Sequence, residues 1–168
     1  FEGFGGIDTM IGGAGDDTYF VIGGEVIVEN AGEGLDIVLA QASYQLAANI
    51  ENLTAYTGHY GIEGKGNELN NIMTSNEVGT SLYGLDGADT IIDDINDDTL
   101  DGGAGADIIT SSNDDNVYNV DNKLNVVTEL SGGGTDTVQS SIDYTLARNF
   151  ENLVLIDAAY RGVGNNLA

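Results

Sequence analysis

Gly102-Gly103-Ala104-Gly105-Ala106-Asp107-Ile108-Ile109-Thr110 reads as Gly, Gly, any, Gly, any, Asp, any, large apolar, any. Gly12-Gly13-Ala14-Gly15-Asp16-Asp17-Thr18-Tyr19-Phe20 repeats the pattern. The frame continues outward from the first of these. Gly84 to Ile92 carries it with Asp89 in the sixth place, and Asp86 and Gly87 within the turn. Asp93 to Asp101 keeps Asp98 and Leu100 but has lost its first glycines. Ser111 to Asn119 keeps it through Asn116 and Tyr118, and Gly66 to Thr74 and Ser75 to Tyr83 stay in phase through Asn71 and Thr80. Residues 66–119 are therefore six consecutive nonapeptides, and Gly3 to Ile11 fits the frame with Asp8.

A longer repeat lies over the short one. Glu29, Gly34, Asp36, Tyr44, Leu46, Asn49, Glu51, Asn52 and Leu53 recur as Glu129, Gly134, Asp136, Tyr144, Leu146, Asn149, Glu151, Asn152 and Leu153. The unit is near 99 residues, or 11 nonapeptides. Its odd number of half-coils predicts that equivalent turns of successive units lie on opposite sides. The organisation expected is a first unit over 1–65, the in-phase run over 66–119 and a second, truncated unit over 120–168. The stretches 31–38 and 131–138 read as the turns following Asp17 and Asn116, one coil later, with one or two inserted residues.

Composition bounds the chemistry. The chain has 168 residues with 28 Asp+Glu against 4 Lys+Arg, a net charge of −24, which argues against nucleic-acid or anionic-membrane binding. There is no cysteine, hence no disulfide scaffold and no thiolate zinc site. No apolar run is long enough to insert in a membrane. The start at Phe1 reads as a piece of a longer chain. Such acidity opposes compaction, yet 41% of the residues are hydrophobic and recur regularly. A core can form once something neutralises the carboxylates.

The nonapeptides resemble those of the RTX proteins, whose repeats form a calcium-binding parallel β-roll; this family is a standard case of the nonapeptide signature. The resemblance implies an all-β, right-handed solenoid with about 18 residues per coil, each nonapeptide being a turn plus a short strand. The apolar eighth residue points inward, and the glycines permit left-handed turn conformations. Turns 18 apart then stack about 4.8 Å from one another. Two carboxylates at that spacing repel by roughly 3–4 kcal/mol at an effective dielectric near 20. Calcium reverses the sign, because it takes 6–8 oxygens from carboxylates and carbonyls.

Carried over from the family, each ion sits between adjacent turns, held by sixth-place aspartates and early turn carbonyls. Asp89 with Asp107 is the best intact pair and Asp17 with Asp36 the next. The pairs Asp98 with Asn116, Asn116 with Asp136 and Asn71 with Asp89 are half-charged and weaker. Asp8 lacks an in-frame partner downstream. The carbonyl donors expected are those of Gly12, Gly13, Ala14 and Gly15, of Gly84, Asp86 and Gly87, and of Gly102, Gly103, Ala104 and Gly105.

The segments between the runs read as packing coils. Glu25 to Glu29 and Asn125 to Glu129 alternate polar with Val or Ile, as half-buried strands do. Asn52 and Asn152 are expected in the sixth place, laddering without metal. Asp94-x-Asn96-x-Asp98 fails as an EF-hand, with Thr99 where glycine is required. His59 is the sole histidine and has no nucleophile motif nearby. Paired carboxylates can do acid/base work on a sugar, but ones this regular are better explained by metal, so no enzymatic site is expected. The resemblance implies a secreted, extracellular or cell-surface bacterial protein, exported by type I secretion machinery and folding on calcium. The function expected is a structural array, whose open ends pair with neighbouring copies end to end or laterally. The alternative is the export and folding region of a larger enzyme or toxin.

Overall fold

The computed structural model describes residues 1–3, 6–56, 61–75 and 79–166. Eighteen short strands occur among them, and the chain winds as a β-solenoid. One wall is a seven-stranded parallel sheet of β2 (Thr18–Val21), β4 (Ile37–Ala40), β6 (Asn52–Ala55), β8 (Ile72–Ser75), β10 (Thr90–Asp93), β12 (Ile108–Ser111) and β14 (Val126–Glu129). The facing wall holds β5 (Tyr44–Gln45), β7 (Glu63–Lys65), β9 (Ser81–Tyr83), β11 (Thr99–Asp101), β13 (Val117–Val120), β15 (Thr137–Ser140) and β17 (Asn152–Leu155). Two-stranded sheets, β1 (Thr9–Ile11) with β3 (Val26–Val28) and β16 (Tyr144–Thr145) with β18 (Gly162–Val163), complete it. Within each wall every strand pairs in parallel with the one a full coil away.

The nonapeptide frame sets the register. Thr90 pairs with Ile72 and Ile108, and Thr99 with Ser81 and Val117, an interval of two nonapeptides. The eighth-place residues Met73, Leu82, Ile91, Leu100, Ile109 and Tyr118 are each fully buried between the walls. A strand's alternation sends its middle residue inward and its neighbours out, so Ile108 and Ile92 lie on the outer face at 49% and 44% exposure. Outside the run the coil length varies. The turn from Asp17 to Asp36 spans 19 residues, that from Asn116 to Asp136 spans 20, and those from Asp36 to Glu51 and Asp136 to Glu151 only 15. The inserted turns at 31–38 and 131–138 thus stack one coil after Asp17 and Asn116, as the sequence predicts.

The odd number of half-coils has its expected consequence. β2, β4 and β6 lie in one wall, and their counterparts one unit later, β13, β15 and β17, lie in the other. Two readings are corrected by the register. Asn52 and Asn152 are not in the sixth place: each is the first strand residue, level with Ile37 and Thr137. The shortened half-coil advances the chain by one residue, so Glu51 and Glu151 take the sixth place. The strands at 25–29 and 125–129 also face the other way from an ordinary amphipathic strand. Glu25, Ile27 and Glu29 point inward while Val26 and Val28 are exposed; Glu129 likewise is buried and Val126 exposed. Backbone register, set by the neighbouring coils, overrides side-chain polarity here.

Truncating Leu100 to Ala should cost about 2–5 kcal/mol, against within about 0.5 kcal/mol for Ile108→Ala on the outer face. Urea unfolding in calcium buffer checks this, and equal losses at the two positions would contradict the register.

Candidate metal centre

Each sixth-place side chain closes one rung of a ladder. Asp107 Oδ1 accepts the Asp89 backbone N–H at 2.9 Å, and Asp89 Oδ1 accepts that of Asn71 at 2.7 Å. On the other side Asp98 Oδ1 accepts the Thr80 N–H, Asn116 Oδ1 that of Asp98 at 2.8 Å, and Asp136 Oδ1 that of Asn116 at 2.9 Å. Asp36 Oδ1 accepts the Asp17 N–H at 2.9 Å. The chain continues through Glu51 Oε2 to the Asp36 N–H and Glu151 Oε2 to the Asp136 N–H, at 2.9 and 2.8 Å. One oxygen of each of these side chains thus fastens the coil before it; Asn71 instead accepts the Asn67 N–H at 2.9 Å and donates its Nδ2–H to the Glu51 carbonyl at 3.2 Å. The columns are Asp17, Asp36, Glu51, Asn71, Asp89, Asp107 on one side and Thr80, Asp98, Asn116, Asp136, Glu151 on the other.

The second oxygen is what remains for a cation, except on Asp107, whose Oδ2 accepts the Asn125 Nδ2–H at 2.7 Å. Asp17, Asp89, Asp98 and Asp136 each bury an Oδ2 that lacks a hydrogen-bond partner, as does Asp8. A buried, unpaired carboxylate oxygen is several kcal/mol unfavourable unless a proton or cation reaches it. Opposite charge is scarce: the Lys65–Glu63 pair, among the described residues, is on the surface at 2.5 Å. Turn carbonyls crowd the same space. A Cβ on Gly105 would collide with the Gly87 carbonyl, one on Gly103 with that of Leu85, and one on Gly84 with Asp89 Oδ2. Gly103 also has φ +75°, so an L side chain there is strained as well as blocked. Carboxylate and carbonyl oxygens converging on space that glycine leaves open fit a hard, oxygen-seeking cation.

The turns themselves stack by backbone hydrogen bonds. Gly87 N–H donates to the Ala104 carbonyl at 3.1 Å, Ala104 N–H to that of Leu85 at 2.6 Å, and Asp86 lies level with Ala104. Gly15 N–H donates to the Glu33 carbonyl at 2.6 Å, which joins the Gly12–Gly15 turn to the inserted turn after Glu29. Asp8 does have a downstream neighbour. Thr9 pairs with Val26, so Glu25 stands level with Asp8, though its carboxylate folds back on the N–H groups of Ile22 and Gly23. A search for aspartate alone passes over it. His59 lies outside the described residues.

Sequence reasoning also missed the first place of each turn. The first-place residue meets the sixth-place side chain of its own turn. Where it is glycine, at Gly84 and Gly102, Asp89 and Asp107 occupy the vacated space. Where it is not, a side chain fills it. Asn116 Nδ2 donates to Ser111 Oγ at 2.9 Å, and Asp93 stands against Asp98 while accepting Ser111 Oγ–H at 3.0 Å. Glu29 and Glu129 are the acidic first-place residues of the two long units, level with Gly12 and Ser111. For Glu129, two nonapeptides after Ser111, the signal was present as an acid where the frame calls for glycine; Glu29 falls one residue short of the frame counted from Gly12.

Burial dominates the proton equilibria of these carboxyls. It pushes Asp89 up to about 6, with the charge of Asp107 adding to it. It lifts Asp136 to about 6 and Glu129 to about 7, and raises Asp36 and Asp107 as well. Burial raises both Asp93 and Asp98; Asp93 raises Asp98 further, while the hydrogen bond with Asp98 acts to lower Asp93.

The comparisons agree with this geometry. The RTX calcium-binding nonapeptide repeat family, HemolysinCabind, matches in four copies over residues 2–20 and 82–118. Those two stretches carry RTX repeats. Ca2+ is the ion such repeats bind, and the oxygen-only donor set fits it. The chain is also similar to Endo-1,3-1,4-beta-glycanase ExsH of Rhizobium meliloti (strain 1021), 45% identical over 67 residues. That stretch is 39% of this chain and only 14% of the glycanase. No solved structure matches significantly. No helix among the described residues is long and apolar enough to cross a membrane.

The raised pKa values give the roll a pH signature. A carboxyl raised on folding favours the metal-free fold below its unfolded value near 4, and that contribution is lost as pH rises through about 6–7. In chelator, acidification from about pH 7.5 to about pH 5 should therefore raise β content by circular dichroism, while calcium affinity falls because protons compete for the same oxygens. Loss of β content on the same acidification would contradict the assignment.

Proposed function

We propose that the chain is a calcium-gated folding module in which sixth-place carboxylates, stacked one strand apart, share ions with the carbonyls of their glycine turns. Asp89 with Asp107 is the principal pair and Asp17 with Asp36 the second. Asp98, Asn116 and Asp136 form the weaker column. The observation that carries the reading is the set of buried, unpartnered Oδ2 atoms on Asp17, Asp89, Asp98 and Asp136. Without a cation the columns repel and the chain, at −24, stays open. Extracellular calcium modules bind with dissociation constants of about 10⁻⁴–10⁻³ M, so the module is silent in calcium-poor cytoplasm and folds outside. At tenfold excess over that constant each ion adds about 1.4 kcal/mol. A few ions then rival the roughly 5–15 kcal/mol of a whole domain. This logic suits a secreted protein exported unfolded by type I secretion.

In its folded state we read the roll as a structural element of a cell-surface or filamentous array. Two features support this: the unit of near 99 residues is extensible, and the inner-facing Leu153 and Leu155 of β17 are only half-buried where Leu53 is fully buried. Another coil or a second copy seated there would cover them. The similarity to part of a glycanase favours a second reading, in which the roll accompanies a catalytic region elsewhere in the parent chain. The gene separates the two: further 99-residue units alone support the array, a catalytic domain the second reading.

Far-UV circular dichroism tests the shared mechanism. Calcium is expected to convert a largely unfolded spectrum into a β spectrum, reversed by excess chelator. Equal β content with and without calcium at neutral pH would sink it.

A further inference from the structure

We propose that Asp17, Glu29 and Asp36 form a three-carboxylate cation centre, in which an inward glutamate adds a third charge to the sixth-place pair Asp17–Asp36 and changes the ion that pair prefers. The proposal rests on the calcium-binding reading above and goes beyond it in the ligand set and the ion preferred.

One oxygen from each of the three carboxylates lies within 4.8 Å of the others. Glu29 is 7% exposed and Asp36 1%. Asp17 Oδ2 and Glu29 Oε2 are buried without a hydrogen-bond partner. The group converges on the bare Cα of Gly12, where a Cβ would collide with Asp17 Oδ2, Glu29 Oε1 and the Tyr19 hydroxyl together. Glu29 is held from both ends: the Tyr19 hydroxyl donates to its Oε1, and Asn49 Nδ2 donates to its backbone carbonyl at 3.0 Å. Asp36 is fastened through its Oδ1 to the Asp17 N–H at 2.9 Å. What is left over is a set of oxygens from three carboxylates, with no cationic side chain among the described residues paired to them.

The second unit supplies an internal comparison. Tyr118 donates to Glu129, and Asn149 Nδ2 donates to the Glu129 carbonyl at 2.8 Å. Glu129 Oε1 and Asp136 Oδ2 are again buried and unpartnered. Two residues differ in kind: Ser111 stands for Gly12, and Asn116 for Asp17. Its Nδ2 donates to Ser111 Oγ and to the Asn113 carbonyl, both at 2.9 Å. An amide donor, already satisfied, thus replaces the third carboxylate, and this centre is left with two charges. Three carboxylates neutralise a trivalent cation and overcompensate a divalent one. The first centre is therefore expected to prefer a trivalent hard ion to calcium, and the second is not.

Terbium(III) tests this directly, because the chain has no tryptophan and tyrosine must sensitise its emission. Titration of Tb3+ into the calcium-loaded chain should give tyrosine-sensitised emission that Tyr19→Phe removes in large part. Glu29→Gln, which keeps the Tyr19 hydrogen bond, should weaken this terbium site at least about tenfold while calcium binding elsewhere persists. Asn116→Asp in the Tyr19→Phe background should restore emission through Tyr118. Retained calcium binding with unchanged terbium affinity in Glu29→Gln overturns the proposal, as does a folded Asn116→Asp variant without new emission. Absence of calcium binding in the wild type would instead overturn the underlying reading of the columns.

Discussion

Like charge stacked at the spacing of a β-sheet governs this molecule. A parallel solenoid places equivalent residues of successive coils one strand apart, and here many of those residues are carboxylates. Each spends one oxygen on the backbone N–H of the coil before it, which is a favourable charge-assisted contact. The other oxygen points into the turn, where burial removes water and no basic side chain replaces it. Backbone ladder and apolar interior favour the roll; the acidic columns oppose it until a cation arrives. Calcium binding and folding are thereby one equilibrium rather than two.

The first place of the turn decides what kind of column results. Glycine there leaves a cradle of carbonyl and carboxylate oxygens, as at Gly84 and Gly102. Serine closes it with a hydrogen bond to the sixth-place amide, as between Ser111 and Asn116. Glutamate or aspartate adds a further charge, as at Glu29, Glu129 and Asp93. One backbone geometry thus yields an ion cradle, a neutral rung or a buried acidic cluster by exchange of a single side chain.

The shortened half-coils before Glu51 and Glu151 do not interrupt this pattern. Asn49 and Asn149 adopt left-handed backbone conformations there, with φ of 67° and 72°, and turn their amides to the carbonyls of Glu29 and Glu129. The glutamate that follows reaches back to the rung that an aspartate fills elsewhere. Its extra methylene accommodates the shorter path, so the rung to the preceding coil is kept at both Glu51 and Glu151.

Much of this was legible in the residues alone. A strict nine-residue period fixes which side chain faces inward, which turn stacks on which, and which unit lies on which wall, because each follows from counting along a uniform coil. Asp89 over Asp107 and Asp17 over Asp36 needed only that count. The count fails where the coil changes length. Nothing in the local sequence says that Glu51 rather than Asn52 forms the rung, or that Glu29 turns inward while its valine neighbours face solvent. Those choices belong to the register imposed by hydrogen bonds from adjacent coils, which act between residues far apart in the chain and overrule the polarity of any one side chain.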